Sequence, residues 1–397
     1  MVTNEQKEII LQVLVENLDL PQSAYEKAKK RYEDLGAWFD RDDSQLKGNN
    51  VHIFPQGSFL LGTAIRPLNR EEEYDLDLAC KLRNGVSKVT HTQKFVKDLV
   101  GNELELYRKA RGIQEDLVSK HRCWRLEYQD DISFHLDIVP AIPADEMKKS
   151  MLFESMNKLG ESQKIAKSAS DTAISITDDR DPNFTNLSED WNISNPEGYG
   201  VWFANRMKTS EERILLEKAQ VDRVPEYKIK TPLQRCVQML KRHRDIMFSD
   251  DESKPISIII TTLAARAYNG ETDIFTALNN ILEKMPKMLN PIFPRVPNPV
   301  NPEEDFADRW AMAEYEYLKL EQNFFLWLRQ AQIDFHNITS SNDAKFISES
   351  FSKKFSVKVK NDELEKKLGT IRLDGISSPT IKEHNIQEPI KPWKDSF

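Results

Sequence analysis

Phe54 to Leu82 reads FPQGSFLLGTAIRPLNREEEYDLDLACKL and sets two aspartates, Asp75 and Asp77, one residue apart inside an apolar run. Successive side chains of a β-strand point to opposite faces. Both carboxylates therefore project from one face, while Leu76, Leu78 and Leu82 can pack beneath on the other. Carboxylates held so close repel each other unless a cation sits between them. Oxygen-preferring Mg²⁺ is the obvious candidate. A third acid arrives in RCWRLEYQDDISFHLDIVPAIP, which reads as two strands, Arg122–Tyr128 and Ile132–Pro140, joined by a short acidic turn at Gln129–Asp131. On the second strand His135, Asp137 and Val139 share one face and Leu136 and Ile138 the other. If that strand lies beside Asp75-Leu76-Asp77, Asp137 reaches the same spot. Three strand-borne carboxylates of this kind can hold two Mg²⁺ ions, one activating an attacking hydroxyl and one steadying the pyrophosphate that leaves a triphosphate.

The Gly57-Ser58 turn supplies a complementary half. Ile53 to Pro55 closes a strand, and Ser58 to Thr63 opens a helix whose free N–H groups suit phosphate oxygens. Gly57 lets the backbone approach closely, and the Ser58 hydroxyl and Gln56 amide add donors. Gly57 to Gly62 also has the GxxxxG spacing of a P-loop, but Thr63 stands where that motif needs lysine, which excludes it.

Strand, Gly-Ser, helix, Asp-x-Asp and a later strand-borne Asp, in that order, resemble the DNA-polymerase-β-type nucleotidyltransferases. Within that superfamily QGSFLLGTAI, EYDLDLACKL and FHLDIVPAIP are most similar to the cGAS/DncV-like nucleotidyltransferases, the bacterial enzymes of anti-phage signalling. The resemblance is strongest over residues 50–145. It continues through SNPEGYGVWF (194–203), LQRCVQMLKRHRDIMF (233–248), PISIIITTLAARAY (255–268) and NPVNPEEDFADRW (298–310). It implies an α+β, polymerase-β-like fold, with a mixed catalytic sheet and a helical second lobe enclosing a nucleotide cleft.

By the same resemblance Gln56, Gly57 and Ser58 bind nucleotide, Lys241 and Ser257 contact the triphosphate, and Asp305 lies close to the nucleobase. Tyr199 and Trp202 stack on a base or belong to the core. The implied activity is template-independent joining of nucleoside triphosphates, ATP among them, into a cyclic di- or trinucleotide, with Asp75, Asp77 and Asp137 as the catalytic, metal-holding acids. The product would reach an effector protein. A ubiquitin-transfer-like partner could modify the tail ending Lys394-Asp395-Ser396-Phe397. The Ser58-to-Asp75 gap is long for the superfamily and hints at an inserted loop through Arg66–Glu73. Two alternatives stay open: a nucleotidyltransferase acting on an RNA, protein or small-molecule acceptor, and a catalytically silent nucleotide sensor.

The elements that must position these residues fit a soluble enzyme. The chain has 397 residues, enough for two lobes, and a formal net charge of −8. An acidic total argues against a nucleic-acid template or activator, which would favour a basic stripe. Basic clusters are local, at Lys27–Arg31, Arg108–Arg111 and Lys241–Arg244; the first two read as solvated helix faces. The three cysteines, Cys80, Cys123 and Cys236, are odd in number and widely spaced, which speaks against a disulfide framework. No signal-peptide pattern is present, and the apolar stretch Ile256–Ala265 is too short to span a bilayer. A cytoplasmic location is expected.

Residues 1–195 read as the catalytic core with an N-terminal helical region, 196–340 as the helical lobe, and 341–397 as a C-terminal segment with a loose tail from Asp374. Thr92–Val118 reads as helix, and 145–195 as a polar connector. Tyr199–Lys218 is expected to be helical, as are 232–248, 255–268, 273–285 and 303–336. Pro291–Pro302 reads as an extended connector.

Overall fold

A computed structural model of the chain describes residues 2–68, 74–129, 134–208, 230–249 and 251–369. Its centre is a mixed sheet with strand order β1-β2-β5-β4-β3, where β1 is Val51–Pro55, β2 Tyr74–Leu82, β3 Val118–Ser119, β4 Trp124–Tyr128 and β5 Phe134–Pro143. β2 and β5 run parallel, and β1 and β4 pair antiparallel on either side. Two short strands, β6 (Ile174–Ile176) and β7 (Ile193–Ser194), extend the sheet from the far end of β5.

Strand alternation decides which face is core. Leu76, Leu78, Cys80 and Leu82 of β2 join Leu136 and Ile138 of β5 in one apolar cluster. The helices Gln22–Phe39 and Gln93–Ala110 cover it with Ala28, Leu35, Val100 and Leu104. With that face sealed, Asp75 and Asp77 point to the other side, where the helical lobe stands.

That lobe is organised around the Pro232–Phe248 helix. Its start is fixed by a reciprocal capping box between Thr231 and Gln234, with Pro232 in the first turn. Leu233, Cys236, Val237 and Leu240 are wholly buried in a cluster shared with the helices Ser257–Ala267, Ile274–Lys284, Leu320–Ser340 and Ala344–Phe355. The N-terminal helix Asn4–Glu16 belongs to this same cluster through Ile10, Leu11, Val13 and Leu14, not to the sheet. Its Glu8 carboxylate accepts from the Ile274 and Phe275 N–H groups (3.1 and 2.8 Å), capping another helix of the lobe.

Several elements differ from expectation. The polar stretch 145–195 is not a connector. It contains the helices Glu146–Lys158 and Gln163–Asp171 as well as β6 and β7. Asp145 and Ser162, which looked like loop residues, are N-caps whose side chains accept from Lys148 N and Ile165 N. The buried positions of the second helix are Ala166, Ala169 and Ser170, with Ile165 packed beside them, the inward face of a helix of only nine residues set in a Ser- and Asp-rich stretch. Residues 303–336 begin as strand, since Asn301–Asp305 pairs with Pro297–Asn298, and only Leu320–Ser340 is a long helix. The helix after Asn195 is Pro196–Met207; the rest of the expected Tyr199–Lys218 helix lies outside the described residues. So do most of the acidic turn at 129–131, part of the loop at 66–73, and the tail with Lys394–Phe397. Arg31 is not on a solvated face either: it is buried, with its guanidinium 4.1 Å above the Tyr128 ring.

Candidate active site

The parallel register of β2 and β5 sets Asp77 directly beside Asp137 and Asp75 beside His135. As a result Asp75, Asp77 and Asp137 each offer a carboxylate oxygen, all within 4.8 Å of one another. Concentrated negative charge shows in their acidities. Burial, with Asp75 and Asp137 nearby, pushes Asp77 up to about 7, and burial and Asp137 raise Asp75. One cation touches the triad among the described residues. Arg125, opposite Asp137 on β4, donates from Nε to Oδ1 and from Nη2 to Oδ2, both at 2.7 Å. A hard-oxygen donor set still short of positive charge fits Mg²⁺. A second acidic group, His121 with Asp178 and Asp179, is already neutralised, because Arg122 pairs with Asp178 at 2.9 Å and Lys97 with Asp179 at 2.7 Å.

Gly57 and the acid pair are built as one unit. The Gln56 N–H donates to the Asp77 carbonyl at 2.8 Å, which pins the turn against β2. Gly57 has φ +60°, and a β-carbon placed on it would lie 2.5 Å from Asp77 Oδ2. Only glycine suits both demands. The helix that follows, Gly57–Leu61, has five residues, so it offers backbone N–H groups more than a helix dipole. The Gln56 amide is aimed at the Leu78 carbonyl, 3.5 Å away.

Gly57, Ser58, Asp75 and Asp77 line one wall of a cavity of about 540 Å³, and Lys241 and Ser257 line the facing wall. The facing wall is held by a stripe of the Pro232–Phe248 helix. Gln234 Nε2 donates to the Leu61 carbonyl (2.9 Å), Gln238 Nε2 to that of Ala64 (2.8 Å) and Lys241 Nζ to that of Thr63 (3.1 Å); Arg242 reaches the Arg66 carbonyl. The segment after the turn forms no ladder of its own, so these side chains satisfy its carbonyls. Lys241 is buried and forms no ion pair among the described residues; burial, then Arg244, brings its pKa down to about 8. Arg244 donates to the Pro255 carbonyl at 2.5 Å and to Ser257 Oγ at 3.1 Å. The basic run Lys241–Arg244 is not a solvated helix end, since all four residues are buried.

Asp305 is not brought to this group. It lines a neighbouring cavity of about 910 Å³ that meets the first at Lys254. Its carboxylate accepts from Val296 N (2.8 Å), Ala307 N (3.0 Å) and Arg295 Nε (3.0 Å), which ties down its own hairpin. Tyr199 and Trp202 are core residues, bonded to Thr262 (2.8 Å) and Glu161 (2.9 Å). Arg125, Arg244 and Lys254 were not singled out from sequence. Arg125 needed the β4–β5 register, and Arg244 was hidden in a run whose burial the sequence does not display.

Residues 51–140 match the model of the family described as cyclic GMP-AMP synthase DncV-like, nucleotidyltransferase domain. The chain is 33% identical over 316 residues to a c-di-GMP synthase of Roseivirga ehrenbergii, covering 77% of this chain and 73% of that one. It is 24% identical over 329 residues to the cyclic dinucleotide synthase CdnG of Bradyrhizobium diazoefficiens, covering 77% and 71%. The solved structure of that CdnG in complex with GTP superposes with a TM-score of 0.61 at 21% identity, over 92% of this chain and 98% of the other. The shared fold is the polymerase-β-like mixed sheet with a helical lobe.

Proposed function

The chain belongs to the DncV-like nucleotidyltransferases, and on that footing we propose that it is a Mg²⁺-dependent, template-independent synthase of a cyclic dinucleotide. The observation that carries this reading is that Asp75 and Asp77 of the acid triad line one cavity together with the buried Lys241, which forms no ion pair among the described residues. Such a wall pair suits a triphosphate, whose anionic oxygens need cations on one side and whose α-phosphorus must meet the metal-holding acids on the other. That the 33%-identical relative is a c-di-GMP synthase favours GTP as the substrate. From sequence, ATP was expected among the substrates and the ring size was open.

Asp75, Asp77 and Asp137 would hold two Mg²⁺ ions, which supply Lewis-acid activation of the ribose hydroxyl and charge neutralisation on the triphosphate. The remaining work falls to the protein. Backbone N–H groups of the Gly57-Ser58 turn and the Ser58 hydroxyl hold phosphate oxygens. Lys241 and Arg244, the latter steadied on Ser257, neutralise the outer phosphates and favour pyrophosphate departure. The cavity orients one nucleotide's ribose hydroxyl in line with the other's α-phosphorus. Attack forms a phosphodiester and expels pyrophosphate; a second attack closes the ring and expels another. The family resemblance supports a cytoplasmic enzyme whose product switches on an effector during phage infection. No described helix is long and apolar enough to cross a membrane.

The test is incubation of the purified protein with Mg²⁺ and each nucleoside triphosphate, singly and together, then phosphatase treatment and mass spectrometry. A phosphatase-resistant cyclic dinucleotide from GTP alone, absent with Asp75→Asn, is expected. Transfer of nucleotide to a macromolecule without any cyclic product would refute the reading.

A further inference from the structure

We infer that Arg125 is the resident counter-ion of the third carboxylate, and that a second divalent ion enters the site by displacing its guanidinium from Asp137. The inference rests on the metal-site reading of Asp75, Asp77 and Asp137 above. Arg125 and Asp137 are direct cross-strand partners, and the two 2.7 Å bonds run in parallel from Nε and Nη2 to both carboxylate oxygens. A fork of that kind meets a carboxylate end-on and takes the inward lone pair of each oxygen. Those lone pairs are also the ones a divalent ion prefers. Asp75 and Asp77 carry no such partner among the described residues, so an ion arriving with the triphosphate can take their oxygens unopposed. An ion that needs Asp137 as well must compete.

The rest of the site makes that competition winnable. Among the described residues no other cation forms an ion pair with the triad: Lys241 Nζ is turned to the Thr63 carbonyl and Arg244 Nε to Asp245. Arg125 itself is lightly anchored: its Nη1 makes no hydrogen bond among the described residues, and its side chain keeps 24% of its exposure. Leaving Asp137 therefore breaks one ion pair and no backbone contact. Before nucleotide binds, the guanidinium holds the third carboxylate in place and neutralised. Once a triphosphate and its ion are seated, added negative charge makes exchange for a second ion favourable.

The experiment is Mn²⁺ titration of the full-length protein at pH 8 without nucleotide, reading free Mn²⁺ by electron paramagnetic resonance. Wild type is compared with Arg125→Met, Arg125→Lys and Asp75→Asn, each checked by thermal melting. Arg125→Met is expected to bind Mn²⁺ about tenfold more tightly than wild type, the scale of one charge-assisted contact removed. Arg125→Lys keeps the charge but cannot fork, is expected to fall between the two, and carries the test should the methionine variant not fold. The half-saturating Mg²⁺ for pyrophosphate release should fall in the same order. Unchanged or weaker Mn²⁺ binding in both Arg125 variants, with binding still lost in Asp75→Asn, overturns this inference alone. Binding that persists in Asp75→Asn overturns it together with the metal-site reading.

Discussion

Gly57→Ala is the sharpest perturbation of the proposed centre. At φ +60° an alanine sits in the left-handed region, which costs about 1 kcal/mol. Its β-carbon would stand 2.5 Å from Asp77 Oδ2, where ordinary contact begins at 3.4 Å. The turn cannot retreat, because the Gln56 N–H is bonded to the Asp77 carbonyl at 2.8 Å. The carboxylate must therefore move by about 1 Å, and misplacement of that size at a reacting centre costs on the order of 100-fold in rate. The backbone cost, by contrast, lowers the melting temperature by only about 1 °C in a chain of this size. Pyrophosphate release at saturating GTP and Mg²⁺, measured beside a thermal melt, separates the two. Wild-type turnover in Gly57→Ala would refute the claim that the turn and Asp77 form one unit. Collapse of the melt would show that Gly57 serves the fold instead.

Lys241→Met should leave the fold intact and raise the KM for GTP about 10- to 100-fold, the worth of one charged phosphate contact. Because the Lys241 ammonium has a pKa of about 8, wild-type kcat/KM should decline above that pH, and the methionine variant should lose this limb. Asp77 titrates near 7 against an ordinary 3.8, so between those values the folded chain binds more protons than the unfolded one. Metal-free stability should then fall as pH rises through that window; a melt of Asp77→Asn should lack the decline, and Mg²⁺ should raise the wild-type melting temperature more at pH 8 than at pH 5. Asp305→Ala should cost about 1–3 kcal/mol in denaturant titration, since two backbone N–H groups lose their acceptor. Its turnover of GTP should hold, and a changed base preference would support the nucleobase role expected from sequence.

What could be read from sequence follows how local the physics is. Alternation along Tyr74–Leu82 puts Asp75 and Asp77 on one face of their strand, and along Phe134–Pro143 it turns Asp137 away from Leu136 and Ile138, whatever else the chain does. Which strands are neighbours is not local, and the Arg125–Asp137 fork depends on it. Long helices with large apolar residues, such as Pro232–Phe248, announce themselves; Gln163–Asp171 has an amphipathic face but only nine residues, inside a Ser- and Asp-rich stretch that reads as loop. Asp305 is a different case. A short acidic motif matched a binding pattern, yet its carboxylate holds a hairpin through Val296 and Ala307.

The N-terminal helix also bears on how the protein is made. Asn4–Glu16 buries its apolar stripe among helices that begin only at Pro232, and Gln6 reaches the Leu368 carbonyl at 3.0 Å. At a synthesis rate of about 5–20 residues per second, this first segment waits on the order of 10–40 s for its earliest helical partner there. The five strands that carry and flank the acid triad, from residues 51–143, have all been synthesised well before that. The nascent chain thus carries the three carboxylates before Lys241 and Ser257 have emerged to face them. Under this order of synthesis, the helical lobe is the last part to close, joining early and late segments of the chain in a single step.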